Sequence, residues 1–344
     1  MLKWYEQIVP DSDVVISSRV RLARNLDNYP FSAKIVEEQA VALVNEVKGI
    51  TNSLSEEDNR RFYSCNISTL SEIDKIAMVE RHIVSPLLAE KEQTTGLILS
   101  EDETVSIMVN EEDHVRIQAI VGGMNLEQAY GVADRIDDIA YDKLHFAYDE
   151  KYGYLTACPT NAGTGMRASC MVFLPALSAA RMIPKLIEEV SKYGVTIRGI
   201  YGEGTKSLGN IYQISNQKTM GNSESEIIEN LKRVVLQVVK QERKRREYML
   251  SVSSDEIEDQ VFRSYGVLKY ARQISAEDAM TLLSQLKFGA DCGLITFDRE
   301  FNIHKLMMGV QPGSLQWTLG KNVGSITRDQ SRAEYIRKEL PTIK

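Results

Sequence analysis

Only four cysteines occur in the 344 residues, at 65, 158, 170 and 292, and none forms a C-x-x-C pair. That spacing gives neither a zinc finger nor a disulfide framework, and no metal-ligating residue set emerges. A reducing compartment is the simplest setting, and the expected location is cytoplasmic. No run approaches the roughly 18 apolar residues that a membrane span needs. The opening MLKWYEQIVPDSD has no apolar stretch of signal-peptide length and reads as short and polar. The net charge of −7 argues against a general nucleic-acid surface, although local basic clusters can still bind anions. Internal repeats and low-complexity segments are absent. What remains, 43% hydrophobic and 26% charged, is the composition of an ordinary globular protein with ample core. Its length suggests two domains, or one large domain with an appendage.

The chain is organised around CPTNAGTGMRASC, residues 158–170, a small-residue loop that feeds an apolar strand. Glycines let backbone approach a phosphate closely, and arginine matches phosphate oxygens with a forked donor set. Taken alone, the loop reads equally as a strand-entry turn. Upstream, the alternation Arg19-Val20-Arg21 predicts extended chain with both arginines on one face. A charged strand edge and a phosphate cradle, the latter with Ser17 and Ser18, are evenly matched there.

Apolar spacing predicts helices over 33–50, 68–81, 126–140 and 176–192, the last kinked at Pro184. His82 follows the second of these, as a helix-end cap, a packed residue or a ligand. Residues 96–121 predict antiparallel strands, with the acidic knot 111–114 at the mouth of a hairpin. A strand over 195–201 runs into a glycine-rich loop carrying Glu203, and 210–216 resumes the sheet. The loop lacks the G-x-x-x-x-G-K-[ST] spacing of a Walker motif, and no H-R-D or D-F-G set of ordinary protein kinases occurs.

Ser223 and Glu226 form a capping box that opens a helix over 224–249, whose basic tail 240–246 reads as a solvated helix end. The clearest boundary is 251–254. Beyond it, helices over 255–271 and 276–288, the second capped by Ser275, and an apolar strand 293–297 are expected. The methionine stretch 306–308 reads as core or subunit interface. Arg328 and Arg332 share one helix face at i, i+4; they can clamp a phosphate or pair with carboxylates, and spacing favours the second.

Five arginines, Arg19, Arg21, Arg116, Arg167 and Arg198, thus lie at strand ends or in loops, with Glu112 and Glu203 close in sequence to two of them. Arginines neutralise a transferring phosphoryl group without a protonation equilibrium. Carboxylates beside them would repel a phosphate unless the acceptor is itself cationic. A guanidinium acceptor answers that: it binds carboxylates bidentately, and a fixed base must take its proton as the N–P bond forms. Cys158, if ionised by its arginine neighbours, adds a third anionic contact.

These residues carry a resemblance. SSRVR at 17–21, NEEDHVR at 110–116, CPTN through Arg167-Ala168-Ser169, and Arg198-Gly199 through Gly202-Glu203 resemble the signature set of the ATP:guanido phosphotransferases, which include creatine and arginine kinases. The match covers roughly 14–222 in the family's order. The resemblance implies an α+β fold, an antiparallel sheet flanked by helices, with ATP and Mg2+ as cofactors and magnesium held mostly by phosphate oxygens and water. It implies nucleotide binding by Ser17, Ser18, Arg19, Val20, Arg21, His82, Arg116, Arg167, Ala168, Ser169, Cys170, Met171, Arg198, Gly199, Ile200, Tyr201 and Gly202. It assigns the acceptor guanidinium to Glu112, Glu203 and Cys158.

Two departures narrow the resemblance. Only a short segment precedes Ser17, where free-guanidine kinases carry a helical lid, and Met171 stands where they usually have a His near the adenine. A C-terminal region with Arg328, Asp329, Arg332 and Ala333 is similar to that of bacterial protein-arginine kinases. That branch implies a catalytic domain over 1–250 and a smaller, mainly helical domain over 255–344 that dimerises and reads phosphoarginine. It implies arginine-bearing protein substrates, a zinc-binding activator protein and a Clp protease or unfoldase as partners, and a role in stress response. The many apolar stretches of the C-terminal region also predict dimerisation through it. The other readings are a free-arginine kinase, a non-enzymatic phosphoarginine-binding adaptor, and a protein that inhibits a DNA-bound repressor by contact alone.

Overall fold

The computed structural model describes residues 2–10, 12–200 and 207–344. The loop expected to carry Tyr201, Gly202 and Glu203 lies outside the described residues. In chain order the elements are β1 (Val15–Arg24), α1 (Glu37–Lys48), α2 (Thr51–Glu57), β2 (Phe62–Asn66), α3 (Glu72–Glu80), α4 (Pro86–Glu90), β3 (Gly96–Ser100), β4 (Val105–Val109), β5 (Val115–Gly122) and α5 (Leu126–Tyr141). A ribbon of β6 (Tyr148–Asp149) and β7 (Gly153–Tyr154) precedes β8 (Met166–Phe173), α6 (Pro175–Ala179), α7 (Ile183–Ser191), β9 (Val195–Gly199) and β10 (Ile211–Asn216). Five helices follow: α8 (Glu224–Tyr270), α9 (Ala276–Asp291), α10 (Ile303–Gly309), α11 (Pro312–Leu319) and α12 (Ser325–Glu339).

Eight strands form one sheet in the order β2-β3-β4-β5-β1-β8-β10-β9, and every pairing is antiparallel. The two-residue period sends alternate side chains to opposite faces. On one face Val20, Leu22, Ile117, Ala168 and Ile214 pack on α1, α5 and the first half of α8. The other face is divided. At one end Ile120, Met171, Phe173 and Ile211 are covered by α9, α10 and the second half of α8. At the other end the arginines stand.

Several elements differ from the sequence expectation. The helix over 176–192 is two helices, α6 and α7, broken where Arg181 takes φ 56°. Pro184 lies in the first turn of α7, where its missing N–H costs nothing, so it starts a helix instead of kinking one. The expected boundary at 251–254 lies inside α8, which runs through it and departs from helical geometry at Ser253 (φ −139°, ψ 40°). The apolar stretch 293–297 is no strand; it makes a single bridge, Phe297 to Ile343. Arg246, expected to be solvated, is buried on Glu242 (2.8 Å), because Glu242 itself caps α6 by accepting from the amides of Ala176 and Leu177. A buried carboxylate needs such a partner. The caps at Ser223 and Ser275 form as the sequence predicts.

The opening segment is not simply polar. Trp4 is 2% exposed and packs into the second core among C-terminal residues. Met307 and Met308 are spent on that core, while Phe262, Val267, Tyr270, Trp317 and Ile326 of the C-terminal region stay exposed.

Candidate active site

Strand register builds the cationic face. Arg21 pairs with Arg167 across β1 and β8, and with Gln118 across β1 and β5. Arg19 pairs with Ser169, Ala23 with Arg116, and Gln213 with both Met171 and Arg198. Register partners project to the same face, so all five arginines emerge on one side of five adjacent strands. Polar neighbours orient them: Arg19 donates to Gln213 Oε1 (2.7 Å) and Arg167 to Ser215 Oγ (3.2 Å). The Nε groups of Arg21, Arg116 and Arg167 are buried with no partner among the described residues.

Mutual repulsion shows in the acidities. Burial, then Arg116 and Arg167, lower the Arg19 pKa to about 10. Arg21 is pushed well below its ordinary value by burial, then by Arg19, Arg116 and Arg167. Such a cluster, with orphaned donors, fits a polyphosphate.

The acidic knot beside it is ordered by its own contacts. Asn110 takes a left-handed turn (φ 58°) and its amide bonds the His114 carbonyl at 2.8 Å. Asp113 Oδ1 accepts from Asn25 Nδ2 (2.7 Å) and from the Ala157 amide (2.6 Å). That second bond ties the residue before Cys158 to the turn carrying Glu112. His114 Nδ1 accepts from the Leu26 amide (3.0 Å), which leaves Nε2 to donate to the Pro30 carbonyl (2.9 Å). Glu111 is buried and pairs with Arg116 and with Ser85 Oγ. Glu112 is exposed at the rim. Its pKa is raised by burial of its carboxyl group first, then by Asp113 and Glu111, against the pull of Arg116 and Arg167. Cys158 is half-buried, with its Sγ 2.9 Å from Thr160 Oγ1.

At the far end of the arginine row Ser17, Met171, Ile200 and His82 line a small recess with Trp4 and Gln213. His82 has a left-handed backbone (φ 61°), and its ring lies 6.4 Å from the Trp4 indole. Burial, then Arg19, lower its pKa to about 3, so the imidazole is neutral at physiological pH.

Four residues assigned to the nucleotide face the other way. Ser18, Val20, Ala168 and Cys170 alternate with the cleft residues and are fully buried against the helices. Ser18 Oγ donates to the Gly123 carbonyl (2.8 Å), and burial pushes the Cys170 thiol up to about 12. The period of the strand, which the motif strings ignore, decides this. Gly199 ends β9 beside the recess.

The set Arg328, Asp329, Arg332 and Ala333 lies on α12, held against 274 and 310. Arg332 is 1% exposed and donates to the carbonyls of Val310 (2.8 Å) and Ile274 (2.9 Å) and to Asp329 (2.5 Å). Ala333 is core. Arg328 is half-buried, and its Nε has no partner among the described residues.

The model of the ATP:guanido phosphotransferase C-terminal catalytic domain matches residues 42–245, and that of the protein-arginine kinase McsB C-terminal domain matches 254–344. The protein-arginine kinase of Brevibacillus brevis is 41% identical over 340 residues, 99% of this chain and 95% of that protein. That of Halothermothrix orenii is 42% identical over 337 residues, 98% of this chain and 96% of that protein. This chain belongs to the protein-arginine kinase family. A taurocyamine kinase of Schistosoma mansoni, solved with transition-state analogue components, superposes with a TM-score of 0.61 at 25% identity. That match covers 72% of this chain and 36% of that duplicated chain. Lombricine kinase shares the fold at a TM-score of 0.58 and 22% identity, covering 70% of each chain.

In this member of the protein-arginine kinase family, three residues to which the sequence reading gave no role shape the site. Glu111 holds Arg116, Asp113 holds the Cys158 loop, and Trp4 walls the recess at the end of the arginine row. Trp4 is one of only two tryptophans, and its place beside Tyr5 in a polar segment was the one available signal. Among the described residues no helix is long and apolar enough to cross a membrane.

Proposed function

We propose that this chain transfers the γ-phosphoryl group of ATP to the guanidinium of arginine side chains in proteins. The carrying observation is the union of five arginines on one sheet face, three of them with an unpartnered buried Nε among the described residues, with a rim carboxylate of raised pKa, Glu112. Arg19, Arg21, Arg116, Arg167 and Arg198 grip the phosphates, and the recess of His82, Met171, Ile200 and Trp4 takes the base. A neutral His82 adds no positive charge beside the base. A magnesium ion, which the family implies, would be held mainly by phosphate oxygens and water. When bound, it neutralises phosphate charge.

Glu112 pairs with the acceptor guanidinium at the rim and orients one nitrogen toward the γ-phosphorus. The N–P bond forms as the bond from phosphorus to the β–γ bridging oxygen breaks. The nitrogen's proton passes to a carboxylate and ADP leaves. Glu203, by its place in the motif, is the second carboxylate, and Cys158 borders the guanidinium.

Arg328 and Asp329 are proposed to contact phosphoarginine, with Arg332 and Ala333 shaping the site beneath them. Residues 1–250 and 255–344 are proposed as catalytic and phosphoarginine-reading units that share α8. Self-association, a zinc-binding activator and delivery of the product to a Clp-type protease in stress response complete the proposal, with the cytoplasm as its location.

The test is reaction with ATP and an arginine-containing protein, followed by phosphosite mass spectrometry under neutral handling. Acid-labile, base-stable phosphate on arginine is expected. Phosphate on free arginine alone, or on hydroxyl side chains alone, overturns the reading.

A further inference from the structure

Residues 3–9 form a strap beside the recess at the end of the arginine row, and two parts of the molecule hold it. The sheet side holds its ends. Lys3 Nζ donates to the Glu101 carbonyl (2.7 Å) and pairs with Glu103 (3.1 Å), both in the turn between β3 and β4. Glu103 in turn pairs with Arg81 (3.2 Å), the residue before His82. At the other end Val9 packs on Gly122 and Gly123, where a Cβ would sit 2.6 and 2.8 Å from its methyl groups.

The C-terminal helices hold the middle. Asn302 Nδ2 donates to the carbonyls of Tyr5 (3.0 Å) and Gln7 (3.1 Å). Its Oδ1 accepts from the Lys305 amide (3.0 Å) and so caps α10. One side chain therefore starts a C-terminal helix with its oxygen and grips the strap with its nitrogen. Lys305 adds an ion pair to Glu6 (2.9 Å).

The buried Trp4 stands between the two sides. Its ring lies 6.4 Å from that of His82 and 6.1 Å from that of His304, two residues after Asn302. It lines the recess with Arg19, Met171 and Gln213. It also lines a cavity of about 200 Å3 that Ile8, Phe301 and His304 border. A side chain next to open space has fewer packing partners, so the place of the indole depends all the more on the strap backbone.

We propose that Asn302 is a positioning residue for the nucleotide: it holds the strap from the C-terminal helices and, through Trp4, sets how tightly the recess grips the base. The inference rests on the proposed function, which gives that recess the base, and adds to it a dependence of ATP affinity on the C-terminal helices.

The test is Asn302→Asp in the full chain. Aspartate still caps α10, but it loses both donors and turns a carboxylate oxygen toward the strap carbonyls. Calorimetry should show the ATP Kd raised about three- to tenfold, the loss of two hydrogen bonds transmitted in part. The kcat at saturating ATP and the KM for an arginine-containing protein should stay unchanged. Lys305→Glu, at an exposed position, sets like charges beside Glu6 and should raise the Kd about two- to fivefold. Trp4 and Trp317 are the two tryptophans, so in a Trp317→Phe background the emission reports Trp4. It should move to the red in Asn302→Asp. An unchanged Kd in both variants overturns the proposal, as does a raised Kd with unmoved Trp4 emission. A fall in kcat and melting temperature alongside the Kd overturns it too, because Asn302 would then be only structural. Wild type that binds no ATP sinks the proposed function itself. Wild type that binds ATP and phosphorylates no arginine sinks the acceptor assignment and leaves the Kd comparison standing, so the failures are distinguishable.

Discussion

Arg21 and Arg167 are register partners across β1 and β8, so two guanidinium groups project side by side from the same face of the sheet. Like charges placed opposite one another destabilise a sheet. Each also keeps an Nε without a partner. The fold holds this repulsion because its hydrophobic cores outweigh it, and a bound polyphosphate would relieve it.

Removing one of the pair should therefore stabilise the empty protein while disabling it. Arg167→Gln is expected to raise unfolding free energy by roughly 0.5–1 kcal/mol without nucleotide. It should lower kcat/KM by about 10^3-fold. Thermal melts with and without ATP check this: wild type should gain more from ATP than the variant does.

If Glu112 holds the acceptor as proposed, it sets an acid limit on activity. The proposed reaction uses its carboxylate, and burial followed by Asp113 and Glu111 raises its pKa. As pH falls, the proton therefore returns earlier than on an ordinary glutamate, and the acid limb of kcat/KM should lie above the usual glutamate range. Glu112→Gln should cost about 10^2- to 10^4-fold in kcat and leave ATP binding intact. A pH–rate profile with the same acid limb in Glu112→Gln would contradict the assignment.

The two arginines of α12 should separate by experiment. Arg332→Ala strands the Val310 and Ile274 carbonyls and Asp329, and should cost about 2–4 kcal/mol in denaturant titration. Arg328→Gln should leave stability nearly unchanged and weaken phosphoarginine binding measured by calorimetry. Undiminished binding in Arg328→Gln would remove that residue from the proposed site.

Much of this was legible in the amino-acid order because the cues are local. Alternation around Arg19 and Arg21 marked a strand with its cations on one face, and Ser223 and Ser275 marked helix starts. The same alternation also implied that Ser18 and Val20 point away, yet reading SSRVR as a unit hid it. Continuity of α8 through 251–254 was not legible, because serine-rich composition imitates a linker while tertiary packing holds the helix on both sides of Ser253. Arg246 read as a solvated cation and is a buried brace, and Arg332, which spacing assigned to a carboxylate, also holds the Val310 and Ile274 carbonyls, since only packing shows which carbonyls need a donor.

The order of residues by itself determined the chemistry: which strands carry guanidinium groups, which turn carries carboxylates, and which loop carries the thiol. Periods of two and of 3.6 residues and short-range capping bonds depend only on neighbours in the chain. Tertiary structure alone decided that five arginines from four strands share one face, that Glu111 serves Arg116 while Glu112 stays at the rim, and that Trp4 lines the recess at the end of the arginine row. Those outcomes depend on strand register and on packing between residues far apart in sequence, which no local pattern encodes.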